Sequence, residues 1–157
     1  MGHSHSKANL PKTKYAPQQT INITHFSFIY QLGKGTFCKV IAAENNLTGE
    51  ILALKYCFKE KLHEKKAINH IVQERNLLED ISHPFICNIL YSFQDHAYVY
   101  MALELMTGGD LRDHVASPMP ESGVRIIIAE IASALEYLHV RNIVHRDLKP
   151  DNSILFN

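Results

Sequence analysis

The stretch from about Glu121 to His139 constrains the fold more than any other part of this chain. Val124, Ile126, Ile127, Ile128, Ala129, Ile131, Ala132, Ala134, Leu135, Tyr137 and Leu138 circle a helix almost completely. A helix apolar all round belongs inside a large core, enclosed by other elements. Pro118 and Pro120 precede it, and a short helix from roughly Asp110 to Ala116 comes before them. The remaining sequence supplies too few elements to enclose such a helix, so a second lobe is expected that is begun and not finished.

Upstream the pattern changes to strands. Phe26 to Leu32 runs into Gly33-Lys34-Gly35, and Phe37 to Ala43 resumes the strand pattern. Asn45-Asn46-Leu47-Thr48-Gly49 is turn chemistry, and Glu50 to Phe58 completes an antiparallel meander. The charged run Lys59 to Lys66 is a connection or a helix start. Ile68, Ile71, Val72, Leu77, Leu78 and Ile81 keep helical spacing until Ser82-His83-Pro84 ends it. Two more strands, Cys87 to Phe93 and Ala97 to Leu103, follow. The expected fold class is therefore α+β: a compact five-stranded lobe with one helix inserted after the third strand, then the start of a helical lobe.

Composition excludes several functions. The 16 basic residues balance 16 acidic ones, so no nucleic-acid footprint is expected. No apolar run is long enough to span a membrane, and no secretory segment opens the chain. The ten histidines form no spaced metal cluster with cysteines. Cys38, Cys57 and Cys87 are odd in number and scattered, which reads as three reduced thiols in an intracellular compartment. Residues 1–22 read as a disordered tail. Met1-Gly2-His3-Ser4-His5-Ser6 fits a myristoylation pattern with Gly2 as acceptor, against the alternative of a chance match. One acyl chain with Lys7, Lys12 and Lys14 would give only weak association with a membrane surface. The expected location is cytoplasmic, peripheral at a membrane if Gly2 is lipidated.

Three features carry candidate chemistry. The glycines of Gly33-Lys34-Gly35-Thr36-Phe37-Cys38-Lys39-Val40 allow a backbone to approach phosphates, although by themselves they are better explained by a plain hairpin. Lys55, by strand alternation, shares a face with Ile51 and Ala53. Glu74 lies inside the apolar stripe of the helix, with Ile71 three before and Leu77 and Leu78 after it. A carboxylate there needs a partner, and breaking a buried ion pair costs on the order of 3–5 kcal/mol. Lys55 and Glu74 are expected to satisfy one another; a surface helix charge is the rival reading.

The third feature is the octet His145-Arg146-Asp147-Leu148-Lys149-Pro150-Asp151-Asn152. It is identified as the catalytic-loop signature of protein kinases, too long a match to arise by chance. Residues 23 to 156 resemble the amino-terminal half of a eukaryotic serine/threonine protein kinase. His83 to Asp95 looks like the AGC group, and with Gly108-Gly109-Asp110-Leu111-Arg112 it is most similar to YANK-type kinases. The resemblance implies a two-lobed fold, ATP with Mg²⁺, and protein substrates phosphorylated on serine or threonine. It divides the chain into a small lobe (23–103), a hinge (104–109) and the start of a large lobe (110–157). It implies that Leu32, Gly33, Lys34, Gly35, Thr36, Phe37, Cys38 and Val40 form the nucleotide loop, with Ala53 beside it. Lys55 is then held by Glu74 against the phosphates, and Glu104 and Met106 line the hinge. Asp147 becomes the catalytic base, Lys149 a neutraliser of the γ-phosphate, and Asn152 the magnesium ligand. Asp110 stays open between a ribose contact and a helix cap.

This sequence departs from the family pattern in four ways. Cys38 replaces the third loop glycine, where it stands as a candidate reactive thiol facing ATP. Ser153 follows Asn152 directly and shifts the alternation of Ile154, Leu155 and Phe156 by one. No Asp-Phe-Gly run or activation segment occurs. Leu78, Ile89 and His145 lack the phenylalanine that would complete their column. The expectation is a chain of little activity on its own. The alternatives are a noncatalytic nucleotide-binding or interaction module, and an incompletely read gene.

Overall fold

The computed structural model describes residues 20–155; Gly2 and the lysines of the tail lie outside them. Five antiparallel strands, β1 (Phe26–Lys34), β2 (Cys38–Asn45), β3 (Glu50–Phe58), β4 (Ile89–Gln94) and β5 (Tyr98–Glu104), form one sheet in the order β1-β2-β3-β5-β4. The expected α+β class and five-stranded sheet hold. The β2–β3 turn is built by Asn45, fully buried, whose side-chain oxygen accepts from Leu47 N at 3.0 Å. Gly49 closes that turn at φ 73°, a conformation that favours glycine.

The segment after β3 corrects the one-helix reading. It holds α1 (Lys59–Glu64) and α2 (Ile68–Asp80), separated where Lys66 turns to φ 53°. The charged run is a helix of its own because Leu62 anchors it, 1% exposed, against Cys57 and Met101. The apolar stripe of α2 is also only partly buried. Ile71 is inside, whereas Val72 and Leu77 are exposed.

Two cores flank the sheet. On one face Phe26, Ile41, Leu52, Leu54 and Tyr100 pack together, and Phe93 stacks on Phe26 at 5.4 Å and on Tyr100 at 4.8 Å. On the other, Cys57 and Met101 meet Leu62, Ala67 and Ile71, with Leu78 and Ile89 against them. Thus two members of the expected column, Leu78 and Ile89, do share one cluster, while His145 is exposed.

Helix α3 (Leu111–Val115), one residue shorter at each end than read from the sequence because Asp110 and Ala116 are its caps, is followed by α4 (Glu121–His139), which has the bounds read from the sequence. Helix α4 docks on the first lobe through one edge. Tyr137 Oη accepts from Ser82 N at 2.9 Å and its ring meets His83 at 4.9 Å. Ile126 and Ile128 are about 60% exposed. Among the described residues no helix is long and apolar enough to cross a membrane.

The cysteines overturn the reduced-thiol reading. Cys38 and Cys57 face one another in the β2–β3 register and form a disulfide, with Cα atoms 4.1 Å apart. The closeness has a simple origin. Phe58 N bonds to Phe37 O, so the next pair along is a non-hydrogen-bonded one, where side chains approach most closely. Cys38 is therefore no free thiol, and the inference of a reducing compartment loses its basis. Cys87 is free.

Candidate active site

Strand β3 places Lys55 between Val40 on β2 and Met101 on β5. Its ammonium reaches Glu74 Oε1 on α2 at 2.6 Å. The pair expected from the sequence is present, but less buried than expected: the side chains are 21% and 38% exposed. An ion pair open to water to this degree contributes about 1 kcal/mol or less. Its effect is to aim the lysine. Ala53, two residues before Lys55, is buried on the same strand.

The glycine hairpin connects β1 to β2. Gly33 pairs with Val40 and Lys34 with Lys39, and Gly35 N donates to Cys38 O at 2.8 Å. That N–H is consumed within the hairpin. A Cβ built on Gly33 would meet nothing within 4 Å, and one on Gly35 only Cys38 O at 3.6 Å. Neither glycine is required by the packing of the chain itself. Leu32 is exposed, as are Lys34, Gly35 and Thr36, while Phe37, Cys38 and Val40 are half-buried.

At the end of β5, Glu104 accepts from Asn88 N at 3.0 Å and Asn88 Nδ2 at 2.9 Å, and its own N–H donates to Asn88 O. Its carbonyl is approached by the Cys87 thiol at 3.6 Å. Burial, then the nearby Glu104 carboxylate, pushes that thiol up to about 11. Met106 is half-buried in the following loop. Asp110 accepts from Asp113 N at 3.1 Å, the geometry of a cap on α3.

The loop 140–152 is exposed almost throughout, and Asn142 and Arg146 adopt left-handed backbone at φ 59° and 65°. Within it Lys149 Nζ donates to both Asp147 oxygens, at 3.0 and 2.9 Å. Asn152 Nδ2 donates to Asp147 O and Oδ2, each at 2.8 Å. These hydrogen bonds, Lys149 first and Asn152 second, hold the Asp147 carboxyl below the usual aspartate range. Asp147 is thus a fixed carboxylate at neutral pH.

The chain after the loop returns to the start of α3. Leu111 N donates to Ser153 O at 2.7 Å, Leu155 N to Gly109 O at 2.9 Å, and Gly108 N to Leu155 O at 3.0 Å. Ser153 and Leu155 are half-buried while Ile154 is 52% exposed. Gly108 has no room for a side chain, since a Cβ would lie 2.5 Å from Leu155 O.

The protein kinase domain family matches residues 26–157. The chain belongs to the protein kinase family. It is 37% identical to human serine/threonine-protein kinase 32C over 157 residues, which is 99% of this chain and 32% of that protein. With human serine/threonine-protein kinase 32B the identity is again 37%, covering 99% and 37% of the two proteins. With Sgk3 of Mus musculus it is 43% over 135 residues, 84% of this chain and 27% of the relative. This kinase chain therefore spans about a third of the length of the curated relatives it matches. The YANK-type resemblance read from the sequence holds.

One contact of this kinase chain escaped the sequence reading. Arg112 Nε and Nη2 reach Oδ1 and Oδ2 of Asp151, joining α3 to the 3-10 turn Pro150–Asn152. Both residues lie in quoted motifs, but no spacing rule links positions this far apart.

Proposed function

We propose that this chain is the nucleotide-binding lobe, hinge and catalytic loop of an ATP-dependent protein serine/threonine kinase, partitioned at 23–103, 104–109 and 110–157. The observation that carries the reading is the catalytic loop itself, an aspartate held as an anion by a lysine and an asparagine. In this reading the adenine lies beside Ala53 and Val40, against the backbone of Glu104 and Met106. Lys55, aimed by Glu74, takes the phosphates under the Gly33–Gly35 hairpin. That neither glycine is demanded by internal packing supports close approach of a ligand there.

Asp147 orients a serine or threonine hydroxyl of a protein substrate and receives its proton. A carboxylate this acidic is a weak base. That suits a loose phosphoryl-transfer transition state, in which positioning matters more than proton removal. Lys149 lies where it can neutralise the transferred group.

The residues present fit magnesium brought in on ATP. Asn152 commits its amide NH₂ to Asp147, which leaves its oxygen as an acceptor. Magnesium retains waters and takes its other ligands from phosphates, so one or two protein oxygens suffice. Bound there, the ion would neutralise phosphate charge as it develops. No Asp-Phe-Gly run occurs among the 157 residues, so a polypeptide of this sequence alone is expected to bind ATP and transfer little phosphate.

Calorimetric titration with ATP, with and without Mg²⁺, tests the reading. Binding should disappear in Lys55→Met. Binding undiminished in that variant overturns the nucleotide site, and robust transfer to a serine peptide by this chain overturns the low-activity expectation.

A further inference from the structure

Asp147 and Asn152 occupy an exposed loop, and a loop in water does not hold two side chains in register without support. The main chain beyond Asn152 is tied to α3 by the Leu111–Ser153 and Gly109–Leu155 hydrogen bonds. The turn Pro150–Asn152 itself has only local main-chain bonds, Asn152 N to Lys149 O at 3.0 Å and Ser153 N to Pro150 O at 3.2 Å. At its centre Asp151 is gripped from outside by Arg112. The Arg112 Nε donates to one carboxylate oxygen and its Nη2 to the other. The planar fork fixes direction as well as distance, which a lysine cannot do. The same pair holds the Asp151 carboxyl below the usual range and raises the guanidinium above its own.

We infer that Arg112 is a positioning residue for the metal-binding end of the catalytic loop, acting through Asp151 on the neighbouring Asn152. This rests on the magnesium reading proposed above and deepens it. Asp151 touches no reacting atom. Its bond to Arg112 sets the rotation of the turn, and that rotation decides whether the Asn152 amide spans the Asp147 carboxylate and carbonyl while its oxygen faces outward. Partners standing behind a metal ligand typically alter metal affinity by about 10- to 100-fold.

Charge and geometry make opposite forecasts. If Asp151 mattered only as a nearby anion, Arg112→Met would free it and strengthen cation binding, while Asp151→Ala would weaken it. A clamp weakens binding in both. The test is ATP affinity measured calorimetrically with Mg²⁺ and with EDTA, in wild type, Arg112→Met, Asp151→Ala, the swap Arg112→Asp/Asp151→Arg, and Asn152→Ala.

We expect Arg112→Met and Asp151→Ala each to lose about 10-fold of the Mg²⁺-dependent gain in affinity, with metal-free ATP affinity unchanged in these two and part of the loss regained in the swap. Full retention of the gain in either single variant overturns the clamp, as do changes of opposite sign. The Asn152→Ala protein separates the two levels. If it keeps the gain, the magnesium assignment fails and the clamp with it; if it loses the gain while Arg112→Met does not, only the clamp fails.

Discussion

A thiol count separates the three cysteines. Protein prepared without reductant should show no reactive thiol while folded. It should show one when denatured without reductant, and three after reduction, by a chromogenic disulfide reagent. The folded silence comes from two causes. Cys38 and Cys57 are bonded to one another, and the Cys87 thiol, raised by burial and by Glu104, carries almost no thiolate at neutral pH. Three thiols in the denatured, unreduced protein would refute the bridge. Composition could not reveal it, because an odd number of scattered cysteines says nothing about strand register. The register places Cys38 opposite Cys57, and it depends on where the glycine hairpin turns. Lys55 and Glu74 were legible for the converse reason: each was the wrong residue for its apolar surroundings, and a misfit side chain advertises a partner. The exposure of that pair was not legible, because the periodicity of α2 cannot tell which apolar positions a neighbour covers.

At the scale of elements, the β4–β5 hairpin and the start of α1 share one organiser. Asp95 Oδ1 accepts from Ala97 N at 2.8 Å and Tyr98 N at 2.7 Å. Its Oδ2 accepts from the Tyr100 hydroxyl at 2.7 Å, and Lys59 Nζ donates to its carbonyl at 2.6 Å. Desolvation alone would raise the Asp95 carboxyl. The bonds from Tyr100, Tyr98 and Ala97, with Lys59 nearby, outweigh it and lower the carboxyl. The Tyr100 ring belongs to the buried core and its hydroxyl is part-buried, so Asp95→Ala removes that hydroxyl's acceptor and should cost about 1 kcal/mol in a urea melt. Because the folded carboxyl is the more acidic, its contribution is complete above the unfolded value near 3.8. It is lost as pH falls through the lower folded one. Wild type should lose stability relative to Asp95→Ala on acidification below that value, and a pH-independent gap would refute the assignment. The hairpin was readable as Gln94-Asp95-His96 between two strands. The split of α1 from α2 was not, since a charged run serves a helix or a linker equally well until Leu62 finds its pocket.

For the molecule as a whole, much of the apolar circumference of α4 is left open to solvent. Val124, Ile126, Ile128 and Val140 all reach solvent, and apolar side chains left open around a helix favour association. The 157-residue chain should therefore elute with concentration-dependent size. Ile126→Ser/Ile128→Ser should shift it toward monomer without lowering the melting temperature, since neither side chain is buried. A monomer at every concentration in the parent would count against this. The amphipathic logic of the first lobe could be read position by position, whereas α4 announced only that it wanted company. One practical consequence follows from the stapled hairpin. An electrophilic compound aimed at the cysteine beside the glycine turn meets a sulfur with no lone thiolate to attack it. Screens run with dithiothreitol and screens run without it would thus interrogate two chemically different targets, and hits from one should not be expected to carry over to the other.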